Sequence, residues 1–105
     1  MKRKVGLLLS LPPSAVSVAS VHGLAQAALD AESEVYLYLI DEGVKNVHDP
    51  AYTGLAQAGV KVFACAYGCQ QHDVSTDNLH PNVSLCGLVV LSGIIDACEP
   101  FLAFT

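Results

Sequence analysis

Charge is scarce in this chain of 105 residues, which also lacks tryptophan and has a single methionine. Charged residues make up 14% and hydrophobic residues 52%, a balance that argues against a disordered or fibrous chain. No repeat or low-complexity segment divides the sequence, and its length suffices for one compact domain but not for two. We therefore expect a single domain over residues 1–105, with apolar surface left over for contacts between subunits.

Basic residues are few, since 5 Lys and Arg stand against 10 Asp and Glu, and the formal net charge is -5. Three of the five are Lys2, Arg3 and Lys4, so the rest of the surface is acidic. This distribution argues against a nucleic-acid groove or a patch for anionic membranes, and we expect neither partner. No apolar run reaches the roughly 18–20 residues that a membrane helix needs.

The start of the chain imitates a signal peptide, because basic residues precede the apolar run Val5–Leu11. That run is short, and two prolines follow it at once. Cleavage beyond the prolines would also remove one of the best strand candidates in the chain. We therefore predict a first β-strand at Val5–Ser10 in preference to a signal.

Cysteine is absent from the first 64 residues and then occurs at Cys65, Cys69, Cys86 and Cys98. Small secreted scaffolds usually distribute their cysteines through the chain, so this clustering favours reduced thiols and a cytoplasmic location. Cys86 ends a short strand candidate and Cys98 ends an apolar helix candidate. Both are therefore interpreted as structural.

The remaining pattern alternates between strands and helices. Further strands are predicted at Val35–Ile40, Val60–Cys65, Val83–Cys86 and Phe101–Phe104. Helices are predicted from a cap at Ser14 to about Leu29, from Pro50 to about Gln57 with Gly59 as the exit turn, briefly within residues 66–81, and over Gly87–Cys98. This order predicts a three-layer α/β/α domain with a five-stranded, mainly parallel sheet.

Function gathers at the carboxyl ends of strands in such sheets, and Cys65 has the best position there. It ends a buried strand before a turn that is predicted to open a helix, where amide donors would favour the reactive thiolate. The alternative is a buried cysteine that fills the strand end. Cys69 and His72 follow on the same helical face, so the three could also bind zinc or copper with His80 or Cys86 as fourth ligand.

The helix candidate Gly87–Cys98 is apolar on nearly all sides, whereas a surface helix would carry a polar stripe. Twelve residues are too few to cross a bilayer. The remaining explanation is burial on both sides, under the sheet and under another subunit. The sequence thus predicts a homo-oligomer.

Three segments together resemble the DsrE/DsrF-like sulfur-relay family, which includes the small TusB, TusC and TusD subunits. They are Tyr38–Val44 (YLIDEGV), Ala58–Cys65 (AGVKVFAC) and Leu88–Phe104 with its apolar helix, Ala-Cys-Glu step and final strand. With the opening strand and helix, the similarity spans nearly the whole chain. The resemblance implies a flavodoxin-like three-layer fold that assembles as a dimer, trimer or hexamer.

The resemblance also implies a persulfide carrier, which would make the protein a sulfurtransferase. Cys65 occupies the position of the family's sulfur-accepting cysteine, and a donor protein and an acceptor protein are the implied partners. Relatives often place arginines a few residues later, whereas here His72 is the only candidate cation. Cys69 could resolve a persulfide by forming a disulfide, or could be inert. No cofactor or resident metal is implied.

A second class of function stays open from the residues themselves. The chain could be a non-catalytic module, either a structural oligomer subunit or a metal- or redox-binding unit that uses Cys65, Cys69 and His72. Sulfur transfer should require Cys65 and no metal, whereas a metal module should lose binding on mutation of any ligand.

Overall fold

A computed structural model describes residues 2–105 of the chain as strands alternating with helices. The strands are β1 (Lys4–Leu9), β2 (Glu34–Leu39), β3 (Lys61–Cys65), β4 (Val83–Cys86) and β5 (Phe101–Phe104). The α-helices are α1 (Ser17–Asp30), α2 (Pro50–Ala58), α3 (Ala66–Gln71) and α4 (Leu88–Ala97), and a 3₁₀ helix (Asp41–Asn46) follows β2. The strands form one sheet in the order β4-β3-β2-β1-β5, and every pairing is parallel. The predicted α/β fold with five strands is confirmed.

One face of the sheet forms the densest part of the core. Strand side chains alternate between faces, so residues in register across the strands share a face. On this face Leu7, Leu37 and Val62 lie in register and are at most 2% exposed. Helices α1 and α2 contact each other above it, and the Tyr52 hydroxyl of α2 donates to the Val18 carbonyl oxygen of α1 at 2.7 Å.

The opposite face carries Leu8, Tyr38, Phe63, Cys65 and Cys86, according to the same registers. Helix α4 connects β4 at one edge of the sheet to β5 at the opposite edge, where β5 pairs with β1. Along this connection α4 contacts β1. Cys65 and Cys86 stand at the carboxyl ends of β3 and β4. This face therefore presents two thiols at the edge of the sheet where ligands of parallel α/β proteins bind.

Helix α1 begins later than the sequence predicts. The Ala15 amide donates to the Pro12 carbonyl oxygen at 2.9 Å and the Val18 amide donates to the Ala15 carbonyl oxygen at 3.2 Å, so turns occupy the segment after the prolines. Ser14 lies exposed in these turns, and the N-cap position falls on Val16, which makes no capping side-chain bond. The prediction of Ser14 as the cap was wrong because the backbone closes two turns before the helix starts.

The 3₁₀ helix is an element that the sequence pattern did not predict. It turns the chain back over the end of β1, where a Cβ on Gly43 would lie 1.9 Å from the Leu9 carbonyl oxygen. The buried amide of Asn46 donates to the carbonyl oxygens of Leu11 at 3.0 Å and Gly43 at 3.1 Å. These contacts hold Asp41, the first residue of the helix, beside the carboxyl ends of the strands.

Helix α4 is covered by its own chain on one side alone. Ile94 is buried, whereas Leu88, Val89 and Ile95 are 62%, 87% and 47% exposed. Within residues 2–105, no helix has both the length and the apolar character to cross a membrane. The outer side of α4 therefore remains an uncovered apolar surface of the chain.

Candidate functional site

A cavity of about 410 Å³ opens at the carboxyl ends of β2, β3 and β4. Its walls come from the residue after β2, the start of α3 and the start of α4, and most of them are apolar. The lining residues are Ile40, Asp41, Cys65, Ala66, Tyr67, Gly68, Gln71, Cys86, Gly87 and Leu88. Two thiols, one carboxylate and the Tyr67 hydroxyl are thus the ionisable groups among the residues that line this cavity.

Cys65 is both the last residue of β3 and the N-cap residue of α3. Its backbone is extended. Because the end of β3 is packed in the core, Cys65 is only 6% exposed. The exposed remainder faces the cavity. The strand end and the helix after it, which the sequence predicted, are both confirmed by the structure.

Cys86 lies directly opposite Cys65, since the two residues are register partners in the parallel pair β3–β4. Neighbouring strands are about 4.8 Å apart, and partners in register project from the same face. Cys86 is half-buried and lines the same cavity. Sequence reasoning treated Cys86 as structural and missed this juxtaposition, although two successive strands that both end in cysteine were a usable signal.

Tyr38 lies beneath the two thiols and was also missed. Its side chain is fully buried, and its hydroxyl donates to the Gly87 carbonyl oxygen at 3.1 Å. Burial, followed by the neighbouring Cys86 and Cys65 thiolates, raises the pKa of Tyr38 above its ordinary range. Burial also raises the pKa of Cys86; the Tyr38 hydroxyl opposes that rise and the charge of Cys65 adds to it. The three side chains therefore form one interacting group.

Cys69 sits behind Cys65 and outside the walls of the cavity. It is 1% exposed within α3. Burial, and next the charge of Cys65, raise the pKa of the Cys69 thiol. Cys69 is thus near Cys65 but has no access to solvent through the cavity.

His72, the third predicted residue, follows α3 and does not line the cavity. Its Nε2 lies 2.7 Å from Oδ1 of Asp41, which does line it. Asp41 reaches this position with a left-handed backbone, φ 52°, at the junction of β2 and the 3₁₀ helix. The pair therefore ties the end of α3 to the rim of the cavity.

The residues considered for a metal do not converge. Within residues 2–105, no group of three or more His, Cys, Asp or Glu side chains is arranged to hold a metal ion. His80 lies elsewhere, with Nδ1 accepting from the Asn82 amide at 3.0 Å. Cys69 and Cys86 lie on different sides of Cys65, since Cys69 is buried within α3 and Cys86 lines the cavity.

Comparisons with known proteins agree with this architecture. The model of the DsrE/DsrF-like family matches residues 3–104. The solved structure of the ychN protein from E. coli superposes with a TM-score of 0.84 at 20% identity, covering 99% of this chain and 100% of that one. MTH1491 from Methanobacterium thermoautotrophicum, described as a protein of unknown function, gives 0.72 at 15% identity, with 99% and 98% covered. No curated protein matches the chain significantly.

Proposed function

Because the chain belongs to the DsrE/DsrF-like family, we propose that it is a sulfur carrier that holds sulfur as a persulfide on Cys65. Membership of this family implies a role in sulfur relay. The observation that carries the finer assignment is the Cys65 thiol at the end of β3, facing an open cavity with mostly apolar walls. A protein donor would deliver sulfur there and a protein acceptor would remove it.

The chemistry needs two displacement steps at sulfur. The Cys65 thiolate attacks the outer sulfur of a donor persulfide, forming Cys65–S–SH and releasing the donor cysteine as a thiolate. An acceptor thiolate then attacks the outer sulfur on Cys65 and leaves the Cys65 thiolate behind. No external oxidant or reductant enters either step. The apolar walls of the cavity would shield the bound persulfide from bulk water.

His72 and Cys69 keep the roles of supporting groups in this proposal. His72, whose Nε2 lies 2.7 Å from Oδ1 of Asp41, is the candidate cation near the rim, where an anionic persulfide must enter. Cys69 is buried within α3, and burial, followed by the charge of the nearby Cys65, raises the pKa of its thiol. Because its thiol lies outside the cavity walls, we expect Cys69→Ser to leave sulfur loading intact.

We further propose that the chain acts as a cytoplasmic homo-oligomer, a dimer, trimer or hexamer. The support is the exposed apolar side of α4, because soluble monomers rarely expose contiguous apolar patches of several hundred Å². Leu88 belongs both to this exposed side and to the lining of the cavity. A neighbouring subunit on α4 would therefore also complete one wall of the site.

The test of the carrier assignment is the intact mass of the protein after incubation with glutathione persulfide and removal of excess reagent. The wild type should gain one sulfur atom, and Cys65→Ser should gain none. Cys98→Ser is the matched control, since Cys98 is equally buried but lies at the end of α4, away from the cavity. Unchanged loading of Cys65→Ser would remove Cys65 from the role.

A further inference from the structure

We propose that Cys86 is the resolving thiol of the site. It attacks the inner sulfur of a Cys65 persulfide, releases hydrosulfide and leaves a Cys65–Cys86 disulfide. This inference rests on the proposed persulfide at Cys65 and adds a second route by which the sulfur leaves. The first route passes the sulfur to an acceptor, and the second discharges it as sulfide when no acceptor is docked.

The register of the sheet provides the geometry. Cys65 and Cys86 are direct partners across β3 and β4, so their Cα atoms are separated by the spacing of neighbouring strands, about 4.8 Å. Disulfides span Cα separations of about 4.4–6.8 Å. Both side chains project from the same face of the sheet. A bond between the two sulfurs therefore fits the strand spacing without unpairing the strands.

The surroundings of the two thiols allow the step to occur. Both line the open cavity, so hydrosulfide can leave and a reductant can enter. The Tyr38 hydroxyl donates to the carbonyl oxygen of Gly87, the residue after Cys86, at 3.1 Å. This bond anchors the end of β4 to β2 across β3. It holds Cys86 beside Cys65 although β4 is an edge strand.

Cys69 is the competing candidate, and its position disfavours it. It is 1% exposed in α3 and does not line the cavity, so its thiol has no contact with the cavity into which it could lose its proton before attack. A bond from Cys69 to Cys65 would also join the N-cap residue of α3 to a residue inside the same short helix. Such a bond would require α3 to deform, whereas the bond to Cys86 joins two strand ends.

The atoms and electrons of the step balance without an added oxidant. Cys86 first loses its proton to water in the cavity. A bond then forms between the Cys86 sulfur and the Cys65 Sγ as the bond from Sγ to the outer sulfur breaks. The electron pair leaves with that outer sulfur as hydrosulfide, so the sulfane sulfur is reduced and the two cysteines are oxidised. A dithiol reductant is then needed to reopen the site.

The experiment loads the protein with glutathione persulfide, removes the reagent, and follows released sulfide together with disulfide formation. Wild type should release sulfide while a Cys65–Cys86 disulfide accumulates. In Cys86→Ser and Cys86→Ala, loading should persist and sulfide release should fall to the background of unloaded protein. Cys69→Ser is the matched control and should behave as wild type.

Disulfide mapping in the wild type gives a readout that needs no variant. Lys61 is the last basic residue, so trypsin leaves all four cysteines in one peptide, whereas chymotrypsin can cut after Tyr67 and separate Cys65 from Cys69. A cross-linked pair of peptides containing Cys65 and Cys86 supports the proposal. A bond from Cys65 to Cys69 overturns it in favour of Cys69.

The outcomes separate the two proposals. If neither the wild type nor the Cys86 variants gain sulfur, and the wild type neither releases sulfide nor forms a disulfide, the carrier function and the resolving role are both overturned. If wild type and the Cys86 variants load equally and retain sulfur equally, the carrier function stands and the resolving role of Cys86 is overturned.

Discussion

At the residue scale, the four cysteines differ through their neighbours. Cys98 fills the space above Gly6, where an added Cβ would approach the Cys98 Cβ to 2.9 Å. Burial, as the largest cause, raises the pKa of both Cys69 and Cys98, and neither lines the cavity. Cys65 and Cys86 face the cavity together. Position relative to the sheet edge therefore separates the two thiols that line the cavity from the two that are packed away from it.

Gly43 is the residue for which the structure leaves least room for change. A Cβ there would lie 1.9 Å from the Leu9 carbonyl oxygen and 2.7 Å from its carbon, so the backbone of the 3₁₀ helix would have to move away from β1. We expect Gly43→Ala to lower the free energy of unfolding by about 1–3 kcal/mol, in the range of overpacked cores. Urea denaturation followed by circular dichroism measures this change.

The control for that substitution is Gly54→Ala, in the interior of α2. An added Cβ at Gly54 meets no atom within 4 Å. Alanine favours a helix over glycine by about 0.5–1 kcal/mol, so this variant should be neutral or more stable. Equal stabilities for the Gly43 and Gly54 variants would contradict the close approach to Leu9.

At the element scale, α2 shows how local signals define a helix. Pro50 occupies its first turn, and Asp49 at the N-cap position accepts a hydrogen bond from the Ala51 amide at 2.9 Å. Gly59 closes the helix with φ 115°, a left-handed conformation that glycine adopts without a steric penalty. The predicted helix and its exit turn were both correct because these signals act within a few residues.

We expect Asp49→Ala to destabilise the protein by about 1 kcal/mol, because the first turn of α2 loses its capping acceptor. Asp49→Ser should retain most of the stability, since a serine oxygen can accept the same bond. Thermal unfolding of the three proteins at neutral pH gives the comparison. An alanine variant as stable as wild type would show that the cap contributes nothing.

At the scale of the whole molecule, the exposed side of α4 has to be covered for the chain to avoid a large apolar surface. Wild type should sediment at micromolar concentration as a species larger than the 11.0 kDa monomer. Val89→Asp should shift the protein to monomer, because Val89 is 87% exposed on α4 and an interface would bury the new charge.

Val16→Asp is the matched control for this prediction. Val16 is 91% exposed but lies at the N-cap of α1, at the other side of the sheet. The Val16→Asp variant should sediment like wild type. A monomeric wild type, or equal dissociation of the two variants, would remove α4 as the assembly surface.

Stability of the whole molecule should fall at alkaline pH. Burial raises the pKa of Tyr52 and of Tyr38 above the ordinary 10.0, and raises that of Cys69, Cys86 and Cys98 above 9.0. The folded state thus keeps protons that the unfolded chain loses. This stabilisation is complete below about pH 9 and is lost as the pH rises through the folded-state values.

Chemical denaturation at a series of pH values measures this loss. Tyr52→Phe should flatten the dependence above about pH 10, because phenylalanine has no proton to lose, while the lost bond to the Val18 carbonyl costs about 1 kcal/mol at neutral pH. A free energy of unfolding that stays constant from neutral pH to about pH 11 would contradict the assignment of buried, protonated tyrosines and thiols.

The sequence by itself determined the strands, the four α-helices apart from the start of α1, the parallel sheet and the place of Cys65. Apolar periodicity, the proline and glycine that bound α2, and the cysteine at the end of β3 all act over a few residues, so a pattern can reveal them. The start of α1 was predicted wrongly because the two turns after the prolines form through backbone hydrogen bonds, which carry no side-chain signal. The 3₁₀ helix likewise depends on contacts with the distant Leu9 and Leu11 carbonyls.

Only the tertiary structure decided which residues share the site. Cys86 meets Cys65 because β3 and β4 pair in one register, and a shift by one residue would turn Cys86 to the other face. Tyr38 and Asp41 join them because β2 is the next strand in the sheet and because the 3₁₀ helix folds back at its end. These partners lie 21 to 27 residues from Cys65 along the chain. Spacing within a segment cannot encode such contacts, since they are fixed by strand order and register.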